Sequence, residues 1–229
     1  MQHSYGIACG TCIPRDATID CLRKTWRLLR DKIRLRLDEF RQVWLDGSEE
    51  NIFAELAFCL FTPQSKARNC WSAVNYLFTH NLLLAGNAGR ISAHLQGVRF
   101  HHTKAARLVM ARRQFTSNGV LNIRSAIEAH GNVCDTRDWL ADNVLGIGYK
   151  EASHFLRNIG FYKQSAILDR HILRNLKRFG VIDEVPDTLT RRKYLAIEQQ
   201  MKDFARSIKI PASGLDLLLW CRETGEIFK

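Results

Sequence analysis

A glycine hairpin is the feature that most constrains how this chain can fold. Residues 145–150 read Leu-Gly-Ile-Gly-Tyr-Lys, and apolar residues recur at helical spacing on both sides. Gly146 and Gly148 permit backbone angles that residues with a Cβ avoid, so the chain can turn tightly between the two helices. Gly160 marks the end of the second helix. The sequence therefore predicts a helix-hairpin-helix unit at about residues 135–160.

Two polar residues near this hairpin carry the candidate chemistry. Lys150 falls in the first turn of the second helix, where the helix dipole disfavours a cation and the neutral, nucleophilic amine becomes more accessible. Asp169 precedes a segment with helical spacing, which marks it as an N-cap, and a fixed carboxylate there can stabilise developing positive charge. Each residue alone also has an ordinary structural interpretation. Their occurrence together in a basic chain favours covalent catalysis by an amine.

The composition favours a polyanionic partner. The 229 residues carry a formal net charge of +11, and the pI is about 9.6. Such a balance suits a nucleic acid, although charge alone is weak evidence. A hydrophobic content of 46% supports a real core in one domain or two small ones. No apolar run has transmembrane length, and residues 1–20 lack a signal-peptide core, so we expect a cytoplasmic protein without a membrane partner.

Seven cysteines are scattered along the chain, and an odd, dispersed set is typical of a reducing compartment. Cys9 and Cys12, with Cys21 and His3, leave a zinc site open, although the spacing to a fourth ligand is irregular. The remaining four lie in apolar or helical contexts and are predicted to be buried thiols: Cys59, Cys70, Cys134 and Cys221.

Apolar residues recur every three or four positions through most of the chain, which predicts an all-α class. Residues 1–17 look irregular, and neither a strand ladder nor an internal repeat is evident. The predicted helices are 18–45, 50–61, 65–78, 91–95, 103–114, 120–130, 135–143, 151–159, 170–179, 188–207 and 213–221.

The hairpin, Lys150 and Asp169 together resemble the helix-hairpin-helix DNA glycosylases that also cut the DNA strand. Three further segments are similar to the archaeal-type, or type-2, 8-oxoguanine DNA glycosylases of that superfamily. They are FTPQSKA at 61–67, AILDRHIL at 166–173, and the end of the chain, with Trp220 nine residues before Lys229. The resemblance covers most of the chain from about residue 20 onward. It departs at Leu145, where many members have Pro, and at Tyr149, where many have Arg or Lys.

The resemblance implies two helical subdomains with a DNA-binding cleft between them. A barrel that ends in the hairpin would comprise residues 50–168. The second subdomain would combine residues 1–49 with residues 169–229. Lys150 and Asp169 would then lie on opposite sides of one cleft.

The resemblance also implies roles for individual side chains. Lys150 is expected to attack C1′ of the deoxyribose, Asp169 to stabilise the cationic sugar, and Gln64 to fill the space left by the extruded nucleotide. Trp220, Phe228 and Lys229 are expected to form the damaged-base pocket. If the chain ends natively at Lys229, its carboxylate can accept the N7–H that distinguishes 8-oxoguanine from guanine. The expected DNA contacts are hairpin residues and nearby basic side chains: Gly146, Gly148, Tyr149, Lys66, Lys104, Arg107, Arg112 and Arg113.

The implied activity is base excision repair by a monomeric N-glycosylase and abasic-site lyase, with duplex DNA containing 8-oxoguanine as its partner. The chemistry needs no metal or other cofactor, and the hairpin carbonyls are a candidate site for a monovalent cation. No iron–sulfur cluster of the endonuclease III kind is expected, because only Cys221 lies in the corresponding region. Two alternatives remain. One is an oxidised-pyrimidine (thymine glycol) glycosylase and lyase with the same Lys–Asp pair, and the other is a non-catalytic helix-hairpin-helix DNA-binding module.

Overall fold

The computed structural model describes residues 6–8, 18–163 and 165–229. Its elements follow in the order β1 (Ile7–Ala8), α1 (Ile19–Leu45), α2 (Glu49–Phe61), α3 (Ala67–Thr79), α4 (Leu82–Ala85), α5 (Ala88–Ala93), α6 (His101–Gln114), β2 (Thr116–Ser117), β3 (Val120–Leu121), α7 (Ile123–Glu128), α8 (Val133–Asn143), α9 (Tyr149–Asn158), α10 (Arg170–Arg178), α11 (Arg191–Ser207), α12 (Ala212–Thr224) and β4 (Glu226–Ile227).

Helices dominate the chain, which confirms the predicted all-α class. The expectation that no strands pair was wrong, because β1 pairs with β4 and β2 with β3, both antiparallel. Asn118 and Gly119 connect β2 to β3 with φ of 51° and 78°. Two positive φ values in succession are what a tight type I′ hairpin requires, and Asn-Gly was the sequence signal for it.

Two compact units make up the chain, Arg41–Ile159 and the combination of Met1–Phe40 with Gly160–Lys229. The first is continuous in sequence and contains the hairpin. The second combines both ends of the chain. The continuous unit is offset by nine residues at each end from the predicted 50–168 subdomain, since it begins at 41 and ends at 159.

In the continuous unit, α2 is the central helix and packs against α3, α6, α7 and α9. All of residues 52–61 are buried, as expected for a helix that is apolar all round. Ser48 caps its N-terminus by accepting the Asn51 amide at 3.3 Å. The buried Glu55 carboxylate accepts the Asn158 side-chain amide at 3.0 Å, which joins the end of α9 to this core.

In the other unit, the apolar stripe predicted on α1 is buried, with Leu22 and Ile33 fully inaccessible. α12 approaches α1 closely at Gly214, where a Cβ atom would lie 2.8 Å from the Trp26 ring. The segment before α10 is held by hydrogen bonds. Glu198 accepts the Ala166 amide at 2.7 Å, and the Tyr194 hydroxyl donates to the Ala166 carbonyl at 2.6 Å.

Most predicted helices are present with small shifts, and the differences have local causes. The predicted helix 120–130 begins only at Ile123, because Val120 and Leu121 pair with β2. The short α4 was not predicted. No helix in the described ranges is long and apolar enough to cross a membrane.

The cysteine predictions were only partly right. Cys59 and Cys70 are buried thiols, whereas Cys134 is exposed at the start of α8, so the prediction for Cys134 was wrong. Cys221 is buried as predicted, but it is disulfide-bonded rather than a thiol. Cys9, Cys12 and His3 lie outside the described residues. Among the residues that are described, no group of three His, Cys, Asp or Glu side chains is arranged to hold a metal ion.

Candidate active site

The turn between α8 and α9 depends on one glycine. Gly146 has φ of +94°, a region that L residues with a side chain rarely adopt. A Cβ there would also lie 2.6 Å from Cδ of Arg107, so the arginine packs directly over the glycine. Gly148 differs, because its φ of −100° is open to any residue and its backbone begins α9. The positive-φ requirement therefore falls on Gly146 alone.

The helix that carries Lys150, α9, is packed along one face. Ala152, Phe155 and Leu156 on its apolar face are fully buried, as predicted from their spacing. Arg137 of α8 donates to the Ser153 hydroxyl at 3.5 Å, which adds a polar tie between the two helices. Lys150 lies in the first turn of α9, and its side chain is 25% exposed. The side chain is thus partly accessible while the helix that carries it is packed.

Glu151 is a site residue that the sequence analysis missed. One of its carboxylate oxygens pairs with Nζ of Lys150 at 2.9 Å, and the other accepts the Gly148 amide at 3.3 Å. An acidic residue three positions after the N-cap is a readable helix-start signal, because it reaches back to the N-cap amide. In this structure the carboxylate already accepts a hydrogen bond from the hairpin amide that was predicted to bind a DNA phosphate.

Tyr149 is tied to α8. Its hydroxyl donates a short hydrogen bond to the Asp138 carboxylate. The Arg137 guanidinium lies over its ring, 5.0 Å from the centroid. Tyr149 thus contributes to holding the two hairpin helices together, and a contact with DNA remains a prediction.

The prediction that Lys104 contacts DNA was wrong. Lys104 was expected to contact a DNA phosphate, but it is 2% exposed and its ammonium points into the protein. It donates to the carbonyls of Phe61 and Pro63, both at 2.7 Å, and to the Ser65 hydroxyl at 3.1 Å. These three bonds use all three ammonium protons. Burial is the main cause that lowers the pKa of Lys104 below its ordinary value, and the nearby charge of Lys150 lowers it further.

The loop that Lys104 holds presents Gln64. This residue is exposed and has φ of 57°, a left-handed conformation flanked on both sides by the bonds to Lys104. The Ser65 hydroxyl also accepts the Arg99 amide at 2.9 Å, which ties the loop to the start of α6. Phe100 follows with φ of 58° and a side chain 56% exposed. Phe100 was not predicted as a site residue, because no pattern in the sequence distinguishes it from a core phenylalanine.

The remaining basic side chains are less uniform than predicted. Lys66 and Arg113 are exposed, and Arg107 is half-buried over the hairpin. The guanidinium of Arg112 donates to the carbonyls of Leu83 and Gly86 at 3.1 and 2.9 Å. Arg112 therefore holds an internal turn together, and the phosphate contact predicted for it was wrong.

A buried thiol lies in the same unit as Lys150. Cys70 is fully buried and donates from Sγ to the Phe61 carbonyl at 3.2 Å. Burial raises the pKa of Cys70 to about 11, although the positive charge of Lys104 works in the opposite direction. At neutral pH this sulfur is a protonated thiol and not a competing nucleophile.

In the other unit, Asp169 is the N-cap of α10 as predicted. Its Oδ1 accepts the Ile172 amide at 2.8 Å. The preceding backbone is fixed as well, because the Leu168 amide donates to the Tyr194 hydroxyl at 3.3 Å. The carboxylate is thus held in one orientation, with its second oxygen available to other chemistry.

The predicted base-pocket residues lie together at the end of the same unit. The rings of Trp220 and Phe228 are nearly parallel, at 25°, with centroids 6.4 Å apart. Trp220 is half-buried, whereas Phe228 is 2% exposed and Lys229 is 8% exposed. The Lys229 ammonium lies 6.0 Å from the centroid of the Phe40 ring. Lys229 is therefore packed into the unit and is not a solvated tail.

Comparison with known proteins identifies the family. A family described as 8-oxoguanine DNA glycosylase matches residues 33–210. The chain belongs to this family. An 8-oxoguanine DNA glycosylase/AP lyase from Fusobacterium nucleatum is 43% identical over 91% of this chain and 96% of its own.

Solved glycosylase structures share the fold. The 8-oxoguanine DNA glycosylase of Thermotoga maritima superposes with a TM-score of 0.82 and 29% identity, over 92% of this chain and 98% of its own. The 8-oxoguanine glycosylase/lyase of Methanocaldococcus jannaschii, in complex with a 15-mer DNA containing 8-oxoguanine, superposes with a TM-score of 0.81 and 36% identity, over 91% of this chain and 99% of its own.

The glycosylase thus carries three chemically distinct groups on fixed backbone. Lys150 supplies an amine, Asp169 supplies an oriented carboxylate, and Trp220 supplies a partly exposed aromatic face. An amine and a carboxylate are the groups needed to form an imine and to stabilise the cation that precedes it.

Proposed function

We propose that this chain removes 8-oxoguanine from duplex DNA and then cleaves the strand at the resulting abasic site. The observation that carries the proposal is Lys150, which stands 25% exposed on the first turn of a buried helix behind the glycine hairpin. An amine on a partly exposed side chain and a packed helix has the positioning that attack on a sugar carbon requires.

Lys150 begins the reaction. Its neutral amine forms a bond to C1′ of the deoxyribose while the C1′–N9 bond breaks, and the base leaves with the bonding electrons and takes up a proton. Asp169 stabilises the positive charge on the sugar as the bond breaks. The amine and the opened sugar form a Schiff base. Loss of a C2′ proton then expels the 3′ phosphate, and hydrolysis of the imine restores Lys150.

Glu151 acts before the chemistry. Its carboxylate holds both the Gly148 amide and the Lys150 ammonium in the structure without DNA. A phosphate at the start of α9 gains the same amide and the positive end of the helix dipole. We propose that an incoming DNA phosphate replaces the Glu151 carboxylate at this amide and thereby loosens its hold on Lys150.

The extruded base is read by Trp220, Phe228 and Lys229. A planar base stacked between two rings separates their planes by about 7 Å, or two contacts of about 3.5 Å, so its entry between Trp220 and Phe228, whose centroids are 6.4 Å apart, requires Trp220 to move. Flipping costs a few kcal/mol, and stacking on an aromatic returns about 1–3 kcal/mol. An acceptor at Lys229 for the N7–H would separate 8-oxoguanine from guanine, which has no hydrogen on N7.

Gln64 and Phe100 are suited to the gap that the base leaves in the duplex. Both are exposed, both stand in left-handed backbone conformations, and Ser65 links their two segments. Polar and apolar wedges of this kind stabilise an opened base step. Lys66, Arg107, Arg113 and Tyr149 are proposed to contact the flanking phosphates. The protein is proposed to act as a monomer in the cytoplasm, on the nucleoid if its source is prokaryotic.

Borohydride trapping tests the proposal. Wild type, Lys150→Gln and the control Lys193→Gln, an exposed lysine on α11, are each mixed with three duplexes. The duplexes carry 8-oxoguanine opposite cytosine, thymine glycol, or no lesion. We expect a covalent adduct with 8-oxoguanine for wild type and the control, and none for Lys150→Gln. An adduct with thymine glycol alone would move the substrate to oxidised pyrimidines. DNA binding without any adduct would leave a non-catalytic binding module.

A further inference from the structure

We propose that the short strand β1, with Gly6 before it, is a positioning element for the base pocket and sets the place of Phe228 and Lys229. The inference rests on the proposed function, because it assigns β1 to the recognition step of that reaction. No sequence pattern predicted this role, since residues 1–17 look irregular.

The first observation is the pairing of β1 with β4. Ile7 pairs with Ile227 and Ala8 with Glu226, in antiparallel register. Ile227 is fully buried. A two-residue ladder has little stability by itself, so its formation implies that the surrounding unit packs β1 and β4 against each other.

The second observation is the approach of Gly6 to the pocket itself. A Cβ atom at Gly6 would lie 3.1 Å from Cδ2 of Phe228 and 2.6 Å from Oε2 of Glu226. The Gly6 backbone therefore lies directly against the Phe228 ring. This contact connects β1 to one of the two rings proposed to enclose the base.

The third observation is how few residues separate β4 from its neighbours. α12 ends at Thr224, Gly225 follows with φ of +82°, and β4 begins at the next residue. Phe228 and Lys229 come directly after β4. The path of these two residues is thus set by the Gly225 turn on one side and by β1 along the strand. Loss of β1 would leave the backbone edge of β4 without its partner strand. Phe228 and Lys229 would then be less constrained.

If β1 positions the pocket, its loss should affect base release and strand cleavage differently. Excision of 8-oxoguanine requires the pocket, whereas β-elimination at an abasic site requires only the hairpin lysine and its partners. A displaced Phe228 and Lys229 would impair the first reaction and leave the second one intact. A purely structural role of β1 would instead lower both reactions together as the protein lost stability.

The test compares two substrates in single turnover. The duplexes have the same sequence, with either 8-oxoguanine opposite cytosine or a preformed abasic site. The strand variant is Ile7→Pro with Ala8→Pro, because proline removes the ladder donor. Ile7→Val keeps a residue suited to a strand. Ser117→Pro is the matched control, since it breaks the other two-residue ladder, between β2 and β3. Thermal unfolding of each variant accompanies the rates.

We expect the double proline variant to lose about tenfold or more in 8-oxoguanine excision, on the scale of one lost base-stacking contact, with β-elimination at the abasic site within about twofold of wild type. Ile7→Val and Ser117→Pro should match wild type on both substrates. Gly6→Leu, which pushes on the Phe228 ring, should reproduce the selective loss without removing the ladder donors.

Four outcomes would overturn the inference. Equal loss of both reactions would make β1 a structural element only, and unchanged excision would show that the pocket does not depend on it. The same selective loss in Ser117→Pro would remove the connection to β1. If wild type itself fails to excise 8-oxoguanine while cleaving the abasic site, the proposed substrate is wrong and the inference falls with it, an outcome distinct from a defect confined to the variants.

Discussion

The hairpin and the end of the chain are held in different ways. The turn that carries Lys150 is fixed largely by residues close to it in sequence, namely the backbone angle of Gly146 and the reach of Glu151 back to Gly148. The segment with Phe228 and Lys229 is fixed by residues far away in sequence, including Ile7 and Phe40. The candidate chemistry is thus encoded locally, whereas the candidate recognition depends on the assembly of a whole unit.

This difference makes the two regions separable by experiment. A duplex with a preformed abasic site requires the hairpin and not the base pocket, while a duplex with 8-oxoguanine requires both. Damage to the hairpin should therefore appear on both substrates. Damage to the terminal segment should appear only on 8-oxoguanine.

The largest effect is expected from Gly146→Ala. The new side chain meets both a strained φ of +94° and the Arg107 side chain at 2.6 Å. Displacement of Lys150 by about 1 Å is enough to lower both reactions roughly 100-fold. The strained backbone should also lower the free energy of unfolding by about 1–2 kcal/mol. Single-turnover rates and urea unfolding measure the two effects.

Gly148→Ala is the matched control for that prediction. Its φ is −100°, and the added Cβ would lie 3.2 Å from only the flexible end of Glu151. We expect a loss of less than about tenfold in both reactions, since a small adjustment of one side chain suffices. Equal damage from the two substitutions would show that the hairpin is not governed by the Gly146 backbone.

Trp220→Ala and deletion of Lys229 should impair the proposed base pocket at the end of the chain. Loss of a stacking face worth about 1–3 kcal/mol predicts a decrease in 8-oxoguanine excision of roughly 5- to 150-fold. Cleavage at a preformed abasic site should change by less than about twofold, because the hairpin is untouched. A parallel decrease on the abasic duplex would place these residues in the chemistry or in general stability, and would erase the contrast between the two regions.

The substitution Lys104→Met tests whether the unit that contains the hairpin also depends on contacts between residues far apart in sequence. The substitution removes the ammonium donor from the Phe61 and Pro63 carbonyls, although Cys70 still donates to the first of them, and it should lower the free energy of unfolding by about 1–3 kcal/mol at neutral pH. Because the pKa of Lys104 is lowered in the folded protein, the unfolded chain binds more protons between that lowered pKa and 10.5. This site therefore makes wild type more stable as pH rises through that window.

Urea unfolding between neutral pH and pH 10.5 measures this contribution. The Met variant should lack it, so the difference in stability between wild type and variant should widen as pH rises. A constant difference across the range would mean that Lys104 keeps its ordinary pKa when folded, contrary to its burial.

Glu151→Gln should have the smallest effect. Removing a carboxylate from the hairpin amide relieves repulsion of an incoming phosphate by about 0.2–1 kcal/mol, the scale of a charge interaction near the surface. We expect up to about fivefold tighter binding of undamaged duplex at low salt, measured by fluorescence anisotropy. Glu128→Gln on α7 makes the same change in net charge at an exposed position away from the hairpin. Weaker binding by Glu151→Gln would show that the carboxylate orders the hairpin and does not compete with DNA.

The sequence was most informative where structure is local. Helical periodicity, the Gly146 turn and the Asp169 cap all depend on neighbours within a few positions, and each is present where it was predicted. The phosphate contacts predicted for Lys104 and Arg112 were wrong, because the sequence of a helix does not show whether carbonyls from another segment accept hydrogen bonds from its basic side chains. β1 was missed for the same reason, since its partner lies at the other end of the chain.

The β1–β4 ladder also has a consequence for how the protein is made. Ile7 pairs with Ile227, a separation of 220 residues, so the first strand leaves the ribosome long before its partner exists. At about 5–20 residues per second, the wait is roughly 10–45 s, while the hairpin of α8 and α9 has already been synthesised. Closing so long a loop is also slow and is favoured only after other contacts have formed. During biosynthesis, the capacity to cut at an abasic site should therefore arise before the capacity to recognise the damaged base.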